Sequence, residues 1–300
     1  MAFAAPNSTV LISDGGLATQ LEAKGHDLSD DLWSARLLFD APLEIAAAHE
    51  AFYRAGATIA TTASYQASFD GFAAGGIDRH DAERLLRRSV ELAKEAREAV
   101  GRDGLWVAAS VGPYGAALAN GEEYVGRYGL SIAQLADWHL PRLEILADSG
   151  ADVLAVETVP DIDEAEALVG LVARLGVPAW LSYTIDGAAT RAGQPLTEAF
   201  AVAADVPEIV AVGVNCCTPA DVLPAIEIAH EVTGKPVIVY PNSGEVWDGP
   251  GRRWTGTAAW STDLPSQWVA AGARIVGGCC RVMPDDIAEL ARTLASDRRT

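Results

Sequence analysis

Short, continuously apolar runs alternate along the whole chain with longer segments whose apolar residues recur every three or four positions. The short runs are Val10–Ser13, Thr58–Ala63, Trp106–Val111, Val153–Thr158, Ala179–Thr184, Ile209–Asn215, Val237–Pro241 and Arg274–Gly278. They lack the in-out alternation of a half-solvated sheet and read as parallel strands covered on both faces. The segments between them read as amphipathic helices. One carries Ala165, Leu168, Val172 and Leu175 on one stripe after Asp163, and another follows Thr218 as N-cap and Pro219 as first residue. Glycines at 56, 150, 176 and 272 precede the next strand, where a left-handed turn is needed to leave a helix. Eight strand–helix repeats without a composition break predict a single (β/α)8 TIM barrel spanning 1–300, with a doubly wound sheet as the alternative.

In such a barrel, chemistry collects at the C-terminal strand ends. Those ends carry Asp14-Gly15-Gly16, Thr62-Ala63-Ser64-Tyr65, Gly112-Pro113-Tyr114, Glu157-Thr158, Tyr183-Thr184, Asn215-Cys216-Cys217, Pro241-Asn242-Ser243 and Gly278-Cys279-Cys280. All four cysteines of the chain sit in two adjacent pairs at the sixth and eighth ends. Neighbouring cysteines rarely bond to each other, and two such pairs make a poor disulfide framework, which points to a reducing, cytoplasmic setting. Thiols converging from two strand ends suit zinc, and three thiolates with an open fourth position describe a catalytic rather than a structural site. Strand alternation sends Cys216 and Cys217 to opposite faces unless the strand has ended, so four ligands are not expected.

Asp14 and Glu157 each end a buried run, where an unpaired carboxylate is costly. A structural ion pair would explain them, and so would the ammonium group of a small amino acid. Gly15 and Gly16 would leave bare N–H groups for that ligand's carboxylate. His26, His49, His80, His139 and His230 lie away from the strand ends, which disfavours a histidine-ligated hydrolase. The three lysines do as well, which removes a Schiff-base aldolase. No dinucleotide or P-loop motif is present. A net charge of −19 makes nucleic acid an improbable partner, and no run reaches the ~18 apolar residues of a membrane span. The N-terminus does not read as a signal peptide, and nothing points to an obligate protein partner.

The segments Asp14-Gly-Gly-Leu-Ala-Thr-Gln-Leu-Glu22, Asp31-Leu-Trp33-Ser, Thr62-Ala-Ser-Tyr65-Gln66, Ser110-Val-Gly-Pro-Tyr-Gly115, Glu157-Thr-Val-Pro-Asp161, Gly213-Val-Asn-Cys216, Tyr240-Pro-Asn-Ser-Gly244 and Gly277-Gly-Cys-Cys280 together resemble the homocysteine S-methyltransferases. The resemblance implies a zinc-dependent barrel enzyme that methylates homocysteine to methionine. By motif, Cys216, Cys279 and Cys280 would be the zinc ligands, with Cys217 a neighbour. Asp14 and Glu157 would meet the homocysteine amino group. Gly15, Trp33, Tyr65 and Asn215 would belong to the substrate cleft. The family's donors are S-methylmethionine, S-adenosylmethionine and betaine, and one relative methylates selenocysteine. The length of the chain and the Tyr240–Glu245 stretch look most like the S-methylmethionine branch. A zinc barrel hydrolase and a non-catalytic zinc- or thiol-binding barrel are the competing readings.

Overall fold

The computed structural model describes residues 3, 5, 9–28, 34–248, 253–259 and 263–297. Eight parallel strands form the core: β1 Leu11–Ile12, β2 Ile59–Thr61, β3 Trp106–Val111, β4 Val153–Val159, β5 Ala179–Tyr183, β6 Ile209–Asn215, β7 Val237–Tyr240 and β8 Ala273–Val276. Each pairs with the next from β2 to β8, and β8 pairs with β1. A parallel bridge between Ser13 and Ile59 brings β1 to β2 and completes the ring. That seam is short, and the Thr58 hydroxyl reinforces it by donating to the Ile12 carbonyl and accepting from the Ile12 N–H. The expected barrel is therefore present, each strand's ends lying within two residues of those of its apolar run.

Strand alternation sorts the side chains into two sets. Val107, Ala109, Leu154, Val156, Leu181, Val212 and Val214 pack outward with the helices. Ile59, Ala108, Val153, Ala155, Trp180, Ala211, Ile238, Tyr240 and Ile275 pack with one another inside the ring. The inner alanines leave room for the fully buried Trp180, whose indole N–H donates to the Tyr240 hydroxyl at 3.0 Å. Gly213 is required here, because a Cβ would lie 1.7 Å from the Ile238 carbonyl oxygen. The same parity carries Ser110, Glu157 and Ser182, two residues further on, and Asn215, four beyond Ala211, into the top interior layer. The site's polar groups are thus placed by the pleat that buries the core.

Helices such as Arg79–Val100, Ile132–Ala147, Ile162–Leu175, Val222–Thr233 and Pro284–Asp297 surround the ring. Gly56, Gly150, Gly176 and Gly272 all have positive φ, as expected of helix exits. Two details differ from the sequence reading. The helix after β4 is capped by the Asp161 carboxylate rather than starting beyond Asp163. Thr218 gives no side-chain cap, because a 3-10 turn, Pro219–Asp221, precedes the helix there. Two antiparallel hairpins, Ile185–Asp186 with Ala189–Thr190 and Val246–Asp248 with Arg253–Thr255, were not anticipated. Among the described residues, no helix is long and apolar enough to cross a membrane.

Candidate metal centre and substrate pocket

β6 stops at Asn215, and the next residue, Cys216, takes a left-handed φ of 50°. That turn breaks the alternation, so Cys216 faces the mouth while Cys217 packs among the outer apolar residues. Burial pushes the Cys217 thiol well above its ordinary pKa, as suits a core residue. Cys279 and Cys280 sit in the turn after β8, where the Cys279 N–H donates to Pro241 O at 2.8 Å and the Cys280 N–H to Asn242 Oδ1 at 3.1 Å. Gly278 allows this turn, since a Cβ would fall 2.3 Å from the Val282 side chain.

The Sγ atoms of Cys216, Cys279 and Cys280 all lie within 4.8 Å of one another. Cys216 to Cys280 is 3.8 Å and Cys279 to Cys280 is 4.0 Å. A tetrahedron with ~2.3 Å metal–sulfur bonds has edges of about 3.8 Å, so the donor set fits a zinc-sized ion without rearrangement. Hydrogen bonds from Cys279 and Cys280, and then from Tyr124 and Asn242, hold Cys216 well below the usual thiol pKa despite burial. The other two thiols are raised, chiefly because they donate to Cys216.

Sequence reasoning missed Glu123 and Tyr124. They lie in the long connection after β3, and the Tyr124 hydroxyl is 3.1 Å from Cys216 Sγ. Glu123 is pushed up to about 7, first by burial, with the nearby Cys216 adding to it. Its Oε2 is buried without a hydrogen-bond partner. Both residues lie in a short 3-10 helix, Glu122–Tyr124, with no strand-end signal, which is why motif reading passed over them.

At the same rim, Asp14 and Glu157 are 3 % and 7 % exposed. Asp14 accepts from the Thr61 N–H at 2.7 Å, the Thr61 hydroxyl at 3.0 Å and the Ser13 hydroxyl at 3.4 Å. Glu157 accepts from the Ser110 hydroxyl and lies within hydrogen-bonding reach of Tyr240. Among the described residues neither has a Lys, Arg or His nitrogen in ion-pair range, so a structural salt bridge does not explain them. Burial pushes each carboxyl up to about 7, and for Glu157 the proximity of Asp14 contributes.

The remaining candidates divide. Tyr65 is at the mouth, tied to Thr158 and packed on Gly112, where a Cβ would fall 2.5 Å from the Tyr65 carbonyl oxygen. Asn215 is 1 % exposed, and its amide is engaged internally: Oδ1 accepts from the Thr158 N–H and the Ser182 hydroxyl, and Nδ2 donates to the Thr158 hydroxyl. Gly16 does not offer a bare N–H, because it donates to Val282 O at 2.9 Å. The Gly15 N–H has no protein partner among the described residues, and a Cβ there would meet Val282 O at 2.4 Å. Trp33 lies outside the described residues.

A parallel (β/α)8 barrel with three thiols in metal-binding array beside buried, cation-free carboxylates defines a metal-centred barrel enzyme. Comparison with known proteins specifies the class. The homocysteine S-methyltransferase family model matches residues 11–294. The chain is 46 % identical to the homocysteine S-methyltransferase of Escherichia coli K12, with 94 % of both chains aligned. It is 41 % identical to homocysteine S-methyltransferase 3 of Arabidopsis thaliana, over 95 % of this chain and 90 % of that one. The metallated crystal structure of the homocysteine methyltransferase MmuM from Escherichia coli superposes with a TM-score of 0.86 at 43 % identity, over 95 % of this chain and 96 % of that one. The chain belongs to the homocysteine S-methyltransferase family, and its activity is that of a homocysteine S-methyltransferase.

Proposed function

We propose that the metal of this homocysteine S-methyltransferase is zinc, held by Cys216, Cys279 and Cys280. The donor in this reading is a sulfonium, S-methylmethionine first and S-adenosylmethionine second. The observation that carries the reading is the 3.8 and 4.0 Å spacing of the thiols, at the same rim as carboxylates that no Lys, Arg or His among the described residues neutralises. All-sulfur donor sets select soft ions such as zinc. When bound, zinc supplies the Lewis acidity that keeps a fourth, substrate thiol ionised near neutral pH.

The chain's own groups account for the rest. Asp14 and Glu157 hold the homocysteine ammonium, which returns to each carboxylate the charge partner that burial denies it. The Gly15 N–H takes the homocysteine carboxylate. Tyr65 walls the cleft, and Asn215 keeps the ends of β4, β5 and β6 in register beside Cys216. Glu123 Oε2 is suited to accept the thiol proton. Methyl transfer then balances simply: the homocysteine sulfur lone pair forms the new S–CH3 bond, and the donor's S–CH3 bond breaks with its electron pair left on the donor sulfur. The whole reaction is contained in one barrel domain.

The test offers S-methylmethionine, S-adenosylmethionine and betaine separately to zinc-loaded, reduced protein with homocysteine. Methionine formation is expected with a sulfonium and not with betaine. Turnover by betaine alone, or undiminished turnover after zinc is removed and shown to be absent, overturns the corresponding half of the reading.

A further inference from the structure

Arg191 stands apart from the other buried or half-buried cations. It follows the small hairpin above β5, and its N–H donates to Thr184 O. The Thr184 hydroxyl in turn donates to the Cys216 carbonyl at 3.2 Å, so this segment is tied to the turn that presents a metal-binding thiol. The guanidinium carbon lies 5.8 Å from the centroid of the Tyr124 ring, at the outer range of a cation–π contact. The hydroxyl of that same ring touches Cys216 Sγ at 3.1 Å. Arg191 is therefore at the rim of the site, on the β5 side.

What Arg191 lacks is an anion. Its Nε is buried with no hydrogen-bond partner, and no carboxylate among the described residues is within ion-pair range of it. Arg97 reaches Asp152 at 2.8 Å and Arg281 reaches Glu245 at 3.1 Å, and the buried Arg142, whose Nε also lacks a partner, donates through its terminal nitrogens to the carbonyls of Ala67 and Gly112. In a chain of net charge −19, an unmatched guanidinium beside the reacting centre is an exception. Buried donors are nearly always completed by a partner, and a guanidinium fork is shaped to receive a carboxylate.

We propose that Arg191 is a donor-specificity residue, receiving the α-carboxylate of an amino-acid sulfonium through its terminal guanidinium nitrogens. This rests on the sulfonium reading above. The carboxylates that take the homocysteine ammonium belong to β1 and β4, while Arg191 follows β5. The two amino acids would thereby be held by separate groups, with their sulfur atoms directed toward the thiols. A sulfonium lacking a carboxylate would leave the guanidinium unmatched.

The experiment compares S-methylmethionine with its decarboxylated analogue, 3-aminopropyl-dimethylsulfonium, at saturating homocysteine, in metal-loaded wild type, Arg191→Gln and Arg191→Lys. The wild type should prefer the carboxylated donor. Arg191→Gln should raise KM for S-methylmethionine roughly 10- to 100-fold, the size expected of a charge-assisted hydrogen bond, and erase that preference. KM for homocysteine and metal content should not move, and Arg191→Lys should recover part of the preference as a point charge. If Arg191→Gln keeps the wild-type preference, or shifts KM for homocysteine instead, the assignment of Arg191 is overturned while the donor reading stands. If metal-loaded wild type uses neither sulfonium, both fall.

Discussion

The two halves of the barrel mouth are built on opposite principles. On the β6–β8 side, Cys216, Cys279 and Cys280 satisfy one another. Positive φ at Cys216 and at Arg281 turns the backbone, Cys280 Sγ lies 3.8 Å from Cys216 and 4.0 Å from Cys279, and the hydrogen-bond needs of sulfur are met within the trio and by Tyr124. On the β1–β4 side, Asp14 and Glu157 meet only neutral donors among the described residues, and burial lifts each to about 7. The sulfur side is preorganised for its ion. The carboxylate side is a deficit that a ligand's ammonium completes. Substitution should therefore damage function on both sides while changing the stability of the empty protein in different ways.

The sharpest way to break this contrast is Cys279→Ala. One thiolate fewer should abolish both metal retention and methyl transfer, with the far-ultraviolet spectrum of the metal-free protein unchanged. Stoichiometric zinc with full turnover in that variant would remove the trio from the mechanism. Glu157→Gln should act next most strongly, raising KM for homocysteine by at least roughly tenfold while zinc content stays at wild-type level. An unchanged KM would take Glu157 out of the pocket.

Asp14→Asn tests the stability side. A carboxyl with a folded pKa of about 7 against an ordinary 3.8 keeps its proton in the folded chain after the unfolded chain has lost it. Between those pH values the folded state binds more protons, so stability falls as pH rises, and the whole cost is present above pH 7. Asparagine removes the charge while still offering an oxygen to the Thr61 N–H. The ligand-free variant should be more stable than wild type at pH 8, by up to roughly 4 kcal/mol for a shift of three pH units. The gain should shrink toward zero by pH 4, and homocysteine should bind it more weakly. A variant less stable than wild type at pH 8 would mean that Asp14 is a structural anchor, and the contrast between the halves would fail.

How legible each half was in the sequence follows from the same physics. The eight apolar runs located the strands to within two residues, because strands buried on both faces must be apolar throughout. The adjacent cysteines at two strand ends marked the metal site, since the pleat and a turn decide which thiols face the mouth. Asp14 and Glu157 were legible as charges where charge is costly. Gly16 was misread: its N–H reaches Val282 O across 266 positions of sequence, a contact that no local pattern encodes. Glu123 and Tyr124 were invisible for a related reason. They reach Cys216 from a loop about 90 residues earlier in the chain, and only ring closure brings that loop over β6.

Tyr124 also gives the finest test of where the sulfur half ends. Its hydroxyl is held well above the ordinary phenol pKa, mainly by burial and then by the neighbouring Cys216 and Cys280. It therefore stays protonated and donates to Cys216 Sγ. Tyr124→Phe deletes that donor and keeps the ring over which Arg191 lies. Metal ligation neutralises much of the charge the hydroxyl serves, so the metal-loaded state should lose less than the free thiolate would. Zinc affinity, measured by chelator competition, should fall by less than about tenfold, and KM for homocysteine should be nearly unchanged. If Tyr124→Phe instead loses zinc as completely as Cys279→Ala, the phenol belongs to the metal's own coordination. The boundary of the sulfur half would then have to be drawn around the loop after β3 as well.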